Sequence, residues 1–186
     1  MTAREKILQR LSDRRRSPAV RPRLPHPLRQ NDDLISSFAE ALIAAGGQPK
    51  LLNDPAELES MLARNFPEAK EIFDTRQAPS PGTEVDRKHS WDLAILEGKL
   101  GVAENGAVWV EWNEDYPRSV LTLAENLALI LPREALVATM QEAYEALDLS
   151  KIAYGLFLAG PSKTADIEQA LVIGAHGAVT LKVFLV

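Results

Sequence analysis

Unbroken apolar runs, separated by stretches with helical spacing, constrain the fold of this 186-residue chain more than any other feature. Strands that are apolar at every position are typical of parallel sheets, because helices cover both faces of such sheets. These runs lie at 91–98, 126–132, 153–160 and 180–186. Their alternation with helical patterns predicts an α/β fold, an open and mainly parallel sheet with helices on both sides. Ligands of such sheets bind beyond the carboxyl ends of the strands.

Shorter signals add further elements to this order. Residues 49–53 and 70–74 are predicted to be strands. The stretch 101–112 is predicted to form a tight turn and then a strand, with Asn105 and Gly106 in the turn.

Capping residues predict where two helices begin. Asn31 or Asp32 is predicted to cap a helix that ends at Gly46 and the glycine after it. Asp54 is predicted to cap the next helix, with Pro55 at its first position.

The second half of the chain contains two more predicted helices. Pro132 is expected to open one of them, with Leu136 and Val137 on its inner face. The other is expected at 163–174. The polar, proline-containing stretch 75–90 is predicted to be a mobile loop.

The first 30 residues differ from the remainder in charge. They contain nine Lys or Arg and two acids, whereas residues 31–186 contain twelve and twenty-four, so the net charges are +7 and −12. We therefore expect a basic arm at 1–30, an amphipathic helix followed by a proline-rich linker, and an α/β domain at 31–186. Such an arm can bind nucleic acid or a membrane surface. Because it has no aromatic residue for base stacking, we favour a solvated arm that docks on the acidic body or on a partner.

The chain contains no Cys and only three His. It therefore has no disulfide, no cysteine nucleophile, no thiolate zinc site and no cysteine-ligated iron–sulfur cluster. Without an HExxH motif or clustered ligands, no metal site is predicted. No apolar run is long enough to span a membrane, and no signal-peptide core is found, so a cytoplasmic location is expected.

The polar stretch GPSKTADIE is the first candidate for a ligand site. It contributes five candidate residues, Gly160, Ser162, Lys163, Thr164 and Asp166. They follow an apolar strand and precede a predicted helix, so unpaired N–H groups and the helix dipole can hold an anion there. The alternative is a plain N-cap by Ser162 or Thr164, with Asp166 complementing the dipole.

Three single residues are further candidates. Glu104 stands at a tight turn, where a carboxylate can be a nucleophile or base, or simply a solvated hairpin acid. His176, at the predicted end of the last helix, either caps that helix or lines a pocket. Arg118 either binds a carboxylate through paired N–H groups or stays solvated.

Several of these segments together resemble one family. GVAENGAVWVEW, NLALILPREALV and GLFLAGPSKTADIEQALVIGAHGAVTLKVFLV are similar to segments of the lactate utilization protein C family, the LUD-domain proteins. The closing signature of that family, G-P-S-[KR]-T-A-D-I-E followed by L-V-x-G-x-H-G, is matched from Gly160 to Glu168 and again from Leu171 to Gly177. The resemblance covers residues 32–186 and is weakest before residue 90.

The resemblance implies a three-layer α/β/α fold, similar to that of glucosamine-phosphate and ribose-phosphate isomerases and CoA transferases. It also implies a role in oxidising L-lactate to pyruvate, beside an iron–sulfur partner and a second cysteine-rich partner. Since this chain has no Cys, its own part would be non-redox and without a cofactor in this chain, for example the binding of a small anionic ligand.

The stretch AENG, Ala103–Gly106, also resembles the S-E-N-G motif of one branch of CoA transferases, whose glutamate forms an acyl–CoA thioester. By that motif Glu104 is the nucleophile, although Ala103 replaces the serine and the family pattern is more often G-[IV]-A-E-T-G. Three functions therefore stay open: a non-redox lactate utilization component, an independent enzyme of CoA transferase or sugar-phosphate isomerase type, and a non-enzymatic binding or regulatory module. A homo-oligomer is compatible with each of them.

Overall fold

The computed structural model describes residues 2–13, 33–77, 90–112, 118–150, 152–163 and 177–186. The chain divides into two units, Met1–Gln30 and Asn31–Val186, and each is described by itself. In the first unit, α1 spans Ala3–Asp13, which confirms the predicted N-terminal helix. The Glu5 N–H donates to Thr2 Oγ1 and the Thr2 N–H donates to Glu5 Oε2 at 2.7 Å, the reciprocal pair of a capping box.

Helices and strands alternate along most of the second unit. Their bounds are α2 Leu34–Ala44, β1 Gln48–Leu51, α3 Leu58–Asn65, β2 Ile72–Asp74, β3 Leu93–Glu97, β4 Leu100–Val102, β5 Ala107–Trp112, α4 Val120–Leu123, β6 Asn126–Leu131, β7 Leu136–Val137, α5 Met140–Ala146, β8 Tyr154–Leu158 and β9 Thr180–Leu185. Among the described residues, 3-10 turns lie at Pro55–Glu57, Thr75–Gln77 and Arg133–Ala135. The first of these turns leads into α3 and is capped by Asp54, as predicted.

Five strands form a parallel sheet in the order β1-β9-β6-β3-β2. Every neighbouring pair in this order is parallel. The longest ladder joins β6 to β9 over six positions, from Asn126 opposite Thr180 to Leu131 opposite Leu185. The mainly parallel sheet predicted from the unbroken apolar runs is therefore confirmed.

The two faces of the parallel sheet are covered by different helices. One face contacts α3, whose Leu62 joins a buried cluster of alternate strand residues, Leu93, Ile95, Ala128, Ile130 and Phe184. The opposite face contacts α2, whose Phe38 and Leu42 are fully buried with the other alternate residues, Ala94, Leu96, Leu127, Leu129, Leu181 and Val183. Burial of each such large side chain contributes about 1.5–3 kcal/mol. The result is the expected three-layer α/β/α arrangement.

A second sheet, in the order β7-β4-β5-β8, packs on the α2 side of the parallel sheet. Val108 and Val110 of β5 belong to the same buried cluster as α2. Trp109 points to the reverse face and packs with Ala143 of α5. The pair β4 and β5 forms an antiparallel hairpin whose turn contains Gly106 at φ +68°, which confirms the predicted tight turn.

The prediction of a helix that begins at Pro132 is wrong for the first half of that segment. Leu136 and Val137 instead form β7, which pairs in parallel with β4. The helix begins only after Thr139, whose Oγ1 accepts a hydrogen bond from the Glu142 N–H at 3.2 Å. The apolar spacing fits a helix throughout, but pairing with a neighbouring strand overrides local periodicity.

The predicted cap of α2 is also wrong by one or two residues. Asp33, rather than Asn31 or Asp32, caps the helix and accepts from the Ser36 N–H at 3.0 Å. The predicted end of the helix is confirmed, because Gly46 follows it with φ +92°.

The strand predicted at 153–160 exists as β8, but the prediction that it is buried is wrong. It lies at the end of the second sheet, pairs antiparallel with β5 and is only partly buried. A Cβ on Gly155 would come 2.3 Å from Cζ2 of Trp109, so any side chain at this position would collide with the indole.

Three predictions fall on residues outside those described. They concern the proline-rich linker at 17–30, the greater part of the 75–90 loop at 78–89, and the helix predicted from 163 to 174, of which 164–174 is not described.

Candidate functional site

The turn at 159–163 packs against the end of α2. Gly160 has φ +74°, a conformation that glycine adopts without strain. A Cβ at Gly160 would lie 2.2 Å from the carbonyl oxygen of Ala45, so the approach of the two backbones leaves no room for a side chain. Pro161 lies beside Gly46, since a Cβ at Gly46 would be 3.3 Å from Pro161 Cδ. The turn therefore rests on the last residues of α2 and the glycine after it.

The segment before β9, residues 177–178, also contacts this turn. The Ser162 N–H donates a hydrogen bond to the carbonyl oxygen of Ala178 at 2.8 Å. A Cβ at Gly177 would be 3.1 Å from Ser162 Oγ, so the hydroxyl lies close to that glycine. Because its amide already has an acceptor, Ser162 can offer a ligand its hydroxyl but not its N–H.

This turn lies at the amino-terminal edge of the parallel sheet. Ala178 comes two residues before β9, and Gly47, which would place a Cβ 3.4 Å from Gly160 Cα, directly precedes β1. The turn does follow the carboxyl end of β8, as predicted, but β8 belongs to the second sheet. The turn is therefore at the opposite edge of the parallel sheet from the one at which ligands of such folds usually bind.

Lys163 is exposed, and its side chain passes the end of α2. A Cβ at Gly46 would be 3.6 Å from Lys163 Cε. The last carbonyls of α2 accept hydrogen bonds from the two glycines that follow, Gly46 N–H to Ile43 and Gly47 N–H to Leu42. Because the dipole of a helix is negative at its C-terminus, the end of α2 stabilises the positive charge of the Lys163 ammonium.

Three candidate residues, Thr164, Asp166 and His176, lie outside the described residues. The same is true of the helix that is predicted to follow the turn. An anion at the turn would depend on the N–H groups and the dipole of that helix, because α2 presents its negative end here.

Glu104 lies in the turn between β4 and β5, and its side chain is exposed. The Met140 N–H donates to Glu104 Oε2 at 3.0 Å, and the Glu104 N–H donates to the Ala138 carbonyl oxygen at 3.0 Å. Met140 is the first residue of α5, where a carboxylate satisfies an unpaired N–H and complements the helix dipole. Glu104 is therefore a capping residue of α5, and any catalytic role would have to share the carboxylate with this contact.

The turns that carry Glu104 and Gly160 contact the same helix. A Cβ at Gly106 would lie 2.4 Å from the backbone nitrogen of Leu42, so the β4–β5 turn presses on the α2 backbone there. Gly160 meets α2 at Ala45, three residues further on, which is about 4.5 Å along the helix axis. The structure thus brings these two candidate regions to the C-terminal half of α2.

Arg118 lies away from this cluster. Its guanidinium carbon is 4.2 Å from the centre of the Trp112 ring and 4.8 Å from that of Tyr154. Trp112 and Tyr154 pair at one end of the β5–β8 ladder, whereas Leu158 at the other end leads into the turn. Tyr154 and Leu158 are four positions apart along β8, about 13 Å. The cation–π contacts stabilise Arg118 on the two rings at that far end.

Three charged side chains at the carboxyl end of β2, Asp74, Arg76 and Glu59, pair with each other. Arg76 Nη2 is 2.6 Å from Asp74 Oδ2, and Arg76 Nη1 is 2.6 Å from Glu59 Oε1. The hydrogen bond with Asp74, and then that with Glu59, raises the pKa of Arg76 above its usual range. These three side chains thus form a paired network at the edge where a ligand site was expected.

Lys182 is a partly buried cation that the sequence analysis passed over. Its Nζ donates to the carbonyl oxygen of Asn65 at 2.8 Å and lies 4.4 Å from the centre of the Phe66 ring. Burial, and then the nearby charge of Lys50, lowers the pKa of Lys182. The signal for this residue in the sequence was a single lysine within the apolar run TLKVFLV. Its ammonium lies at the C-terminus of α3, where the helix dipole favours a cation.

Among the residues that the structure describes, no group of three or more His, Asp or Glu side chains is placed to hold a metal ion. Within that same part of the chain, no helix is both long enough and apolar enough to cross a bilayer.

Comparison with known proteins finds consistent relatives. The lactate utilization protein C of Bacillus subtilis (strain 168) is 28% identical over 165 residues, which cover 82% of this chain and 68% of that protein. The lactate utilization protein C of Anoxybacillus flavithermus is 23% identical over 148 residues, covering 79% of this chain and 67% of that protein. That of Oceanobacillus iheyensis is 30% identical over 101 residues, 51% of this chain and 43% of that protein.

A solved structure and a family description agree with these relatives. The crystal structure of a DUF162 family protein from Deinococcus radiodurans matches with a TM-score of 0.62 at 16% identity, covering 86% of this chain and 99% of that chain. That similarity shows a shared fold. Residues 86–186 match the family described as LUD domain. Because this match extends over more than half of the chain, the protein belongs to the LUD domain family.

Proposed function

We propose that this protein is a non-redox component of a system that oxidises L-lactate to pyruvate. The carrying observation is its similarity to proteins named lactate utilization protein C over 79% and 82% of its length. A chain without Cys cannot hold a cysteine-ligated iron–sulfur cluster. Electron transfer therefore falls to iron–sulfur partner proteins, with which this chain acts as a subunit in the cytoplasm.

The ligand in this proposal is a small anion bound at the turn that begins at Gly160. Lactate and pyruvate are both carboxylates, and a carboxylate is suited to backbone N–H groups at a helix start and to a lysine ammonium. Lys163 is exposed and so open to a ligand.

Deletion of the gene tests the pathway. The deletion strain should fail to grow on L-lactate as sole carbon source and should grow normally on pyruvate. A tagged protein from lactate-grown cells should co-purify with subunits whose visible absorption is that of an iron–sulfur cluster. Undiminished growth of the deletion strain on lactate would refute the role.

Calorimetric titration with lactate, pyruvate, phosphate and sulfate tests the ligand. Lys163→Ala should weaken binding of the best anion about ten- to a hundredfold, because a charge-assisted hydrogen bond contributes about 1.5–3 kcal/mol. Lys99→Ala is the matched control, since Lys99 is also exposed but lies between β3 and β4. Equal affinity of the Lys163 variant and the wild type would exclude this site.

A second candidate function is a small-molecule enzyme of CoA transferase type with Glu104 as nucleophile. The observation in its favour is an exposed carboxylate in a motif similar to that of CoA transferases. In that chemistry the carboxylate carbon of Glu104 ends as a thioester of CoA, and the acyl group of the substrate leaves as its free carboxylate.

Glu104→Gln separates catalysis from capping. The glutamine oxygen can still accept from the Met140 N–H, whereas the amide is not a nucleophile. If the protein is such an enzyme, incubation with acyl-CoA should give a CoA adduct by mass spectrometry in the wild type and none in this variant. Full retention of turnover by the variant would remove Glu104 from the mechanism. Ligand-dependent thermal stabilisation without any turnover would favour the binding or regulatory module instead.

A further inference from the structure

The chain contains one peptide bond of the kind that rearranges without an enzyme, the bond between Asn105 and Gly106. Six Asn occur in the sequence, and only Asn105 is followed by Gly; the others precede Asp, Phe, Glu or Leu. Because Gly has no side chain, its main-chain nitrogen reaches the side-chain amide of a preceding Asn more easily than that of any other residue. In the unfolded chain this bond is therefore the favoured place for deamidation.

The fold holds both groups that would react with each other. The Gly106 N–H donates a hydrogen bond to the carbonyl oxygen of Val102 at 2.9 Å. The side-chain oxygen of Asn105, Oδ1, accepts one from the Ala107 N–H at 3.0 Å. For the Gly106 nitrogen to attack the side-chain carbon of Asn105, that nitrogen must lose its proton and the side chain must rotate, so both hydrogen bonds must break. The native turn therefore opposes the reaction, although Asn105 itself is exposed.

The turn is also held from outside. Gly106 is buried against α2, where an added Cβ would lie 2.4 Å from the backbone nitrogen of Leu42 and 2.5 Å from its Cα. On the other side of Asn105, the Glu104 carboxylate accepts a hydrogen bond from the Met140 N–H. Since the backbone has no room to distort in place, the turn must leave α2 before the reaction can occur, a local opening of the fold.

We propose that Asn105 is a site of spontaneous deamidation, that release of the β4–β5 turn from α2 controls its rate, and that the isoaspartate product prevents the turn from closing again. The inference is independent of the proposed function, because it depends only on the chemistry and the contacts of this turn.

The reaction has two steps. In the first, the Gly106 nitrogen bonds to the side-chain carbonyl carbon of Asn105, the bond from that carbon to Nδ2 breaks, and ammonia leaves with the proton of the Gly106 N–H. The product is a five-membered succinimide. In the second step, water adds to one of the two succinimide carbonyl carbons and breaks the bond of that carbon to the Gly106 nitrogen. Opening at the side-chain carbonyl gives aspartate, and opening at the main-chain carbonyl gives isoaspartate.

Isoaspartate does not fit the native turn. It carries the main chain through its Cβ and Cγ, so one more carbon lies between position 105 and Gly106. Val102 and Ala107 pair with each other across the turn, and Gly106 lies against Leu42. A longer main chain cannot keep both the pairing and the contact with α2. Molecules that contain isoaspartate should therefore lose the packing of the turn and the hydrogen bond of Glu104 with Met140.

Mass spectrometry of peptides from the incubated full chain measures the rate at each Asn. One sample is kept native at mildly alkaline pH, and the other is kept unfolded in guanidinium chloride at the same pH, both in oxygen-18 water to label the product. Asn105 should be the Asn that reacts fastest in the unfolded chain. In the native protein it should react at least about tenfold more slowly, because only the opened fraction reacts.

Glu104→Ala tests whether opening of the turn controls the rate. This variant loses the hydrogen bond with Met140, so the ratio of its native rate to its own unfolded rate should rise several-fold above that of the wild type. Glu134→Ala is the matched control, since Glu134 is also exposed but lies in the 3-10 turn after β6. Its ratio should equal that of the wild type.

Asn105→Ser tests the effect of the product. Serine cannot form the succinimide, but its hydroxyl can still accept a hydrogen bond from the Ala107 N–H. After long incubation the wild type should contain isoaspartate and a fraction that unfolds at lower denaturant concentration. The incubated Asn105→Ser protein should instead unfold in a single transition, at the same midpoint as the fresh variant.

Three results would overturn the proposal. They are an Asn105 rate that is the same in the native and the unfolded wild type, a Glu104→Ala ratio equal to that of the wild type, and an isoaspartate fraction, purified by ion exchange, that unfolds at the same denaturant concentration as the unmodified protein. The first comparison uses the wild type alone, so it decides the proposal even where a variant folds poorly.

Discussion

Replacing Gly160 by alanine should destabilise the α/β domain strongly. A residue with a Cβ costs about 1–2 kcal/mol in the left-handed conformation that Gly160 adopts. The new Cβ would also lie 2.2 Å from the Ala45 carbonyl oxygen and 2.8 Å from its carbonyl carbon, so backbone must move. Such overpacking costs about 1–3 kcal/mol. The free energy of unfolding should therefore fall by about 2–5 kcal/mol, a large share of the 5–15 kcal/mol that is usual for a domain.

Gly46→Ala serves as a comparison that separates the cost of the steric clash with Ala45 from the cost of the left-handed backbone conformation. Gly46 also has a positive φ, +92°, but the atoms nearest to its added Cβ are side-chain atoms of Pro161 and Lys163 at 3.3–3.6 Å. Only the conformational cost of about 1–2 kcal/mol is expected there. The two variants should thus differ by about 1–3 kcal/mol.

Urea unfolding followed by tryptophan fluorescence and by far-ultraviolet circular dichroism measures both variants. Coincident transitions by the two probes justify a two-state fit, and a constant slope with denaturant means that only stability has changed. If the two variants differ by less than about 0.5 kcal/mol, the range of ordinary surface substitutions, the turn does not pack on Ala45 as described.

Three further predictions concern other residues. Glu104→Ala removes a cap of α5 and should lower the free energy of unfolding by about 0.5–2 kcal/mol, whereas Glu104→Gln keeps the hydrogen bond and should cost only the charge–dipole part, about 0.3–1 kcal/mol, in the same urea experiment. Arg118→Ala should cost about 0.5–1 kcal/mol and alter tryptophan emission, because a guanidinium leaves the indole face; unchanged emission would contradict the stacking. The pKa of Asp92 is lowered because it accepts hydrogen bonds from the N–H groups of Glu71 and then Lys70. Its stabilisation is present above the unfolded pKa of about 3.9 and is lost as the pH falls through the lower folded pKa. Asp92→Asn should therefore be less stable at neutral pH and lose less stability on acidification, and parallel pH profiles of the two proteins would refute this.

The central strands were predictable because strands that are buried on both faces are apolar at nearly every position, which is visible in the sequence. β3, β6 and β9 read as unbroken apolar runs, and they occupy the middle of the parallel sheet. β4 and β7 have three and two residues and exist only through their pairing with each other and with β5. No periodicity survives in so few residues, so Leu136 and Val137 matched a helix equally well. The T-x-x-E spacing of Thr139 and Glu142 was the signal that could have placed the start of α5, where Thr139 Oγ1 accepts from the Glu142 N–H.

The residues of the candidate site could be predicted from the sequence, but the part of the fold against which they pack could not. The sequence identifies GPSKTADIE as a polar turn after a strand, and Gly160 does take a positive φ. The turn meets the end of α2 because Gly160 packs against the Ala45 carbonyl and Pro161 packs against Gly46. These contacts join segments more than 100 residues apart in the sequence, so no local pattern predicts them. In the same way, a lone Arg118 gives no sign that Trp112 and Tyr154, which pair across two strands, will hold it.

The position of β9 between β1 and β6 sets the order in which the sheet can be completed. β1 pairs with β9 from Gln48 opposite Lys182 onward, and β9 in turn pairs with β6. Until residues 180–185 have been synthesised, neither β1 nor β6 has that neighbour, and both present open hydrogen-bonding edges. Pairing over such sequence separations slows folding. During translation the open edges of β1 and β6 are therefore the places where chaperones or aggregation should act first.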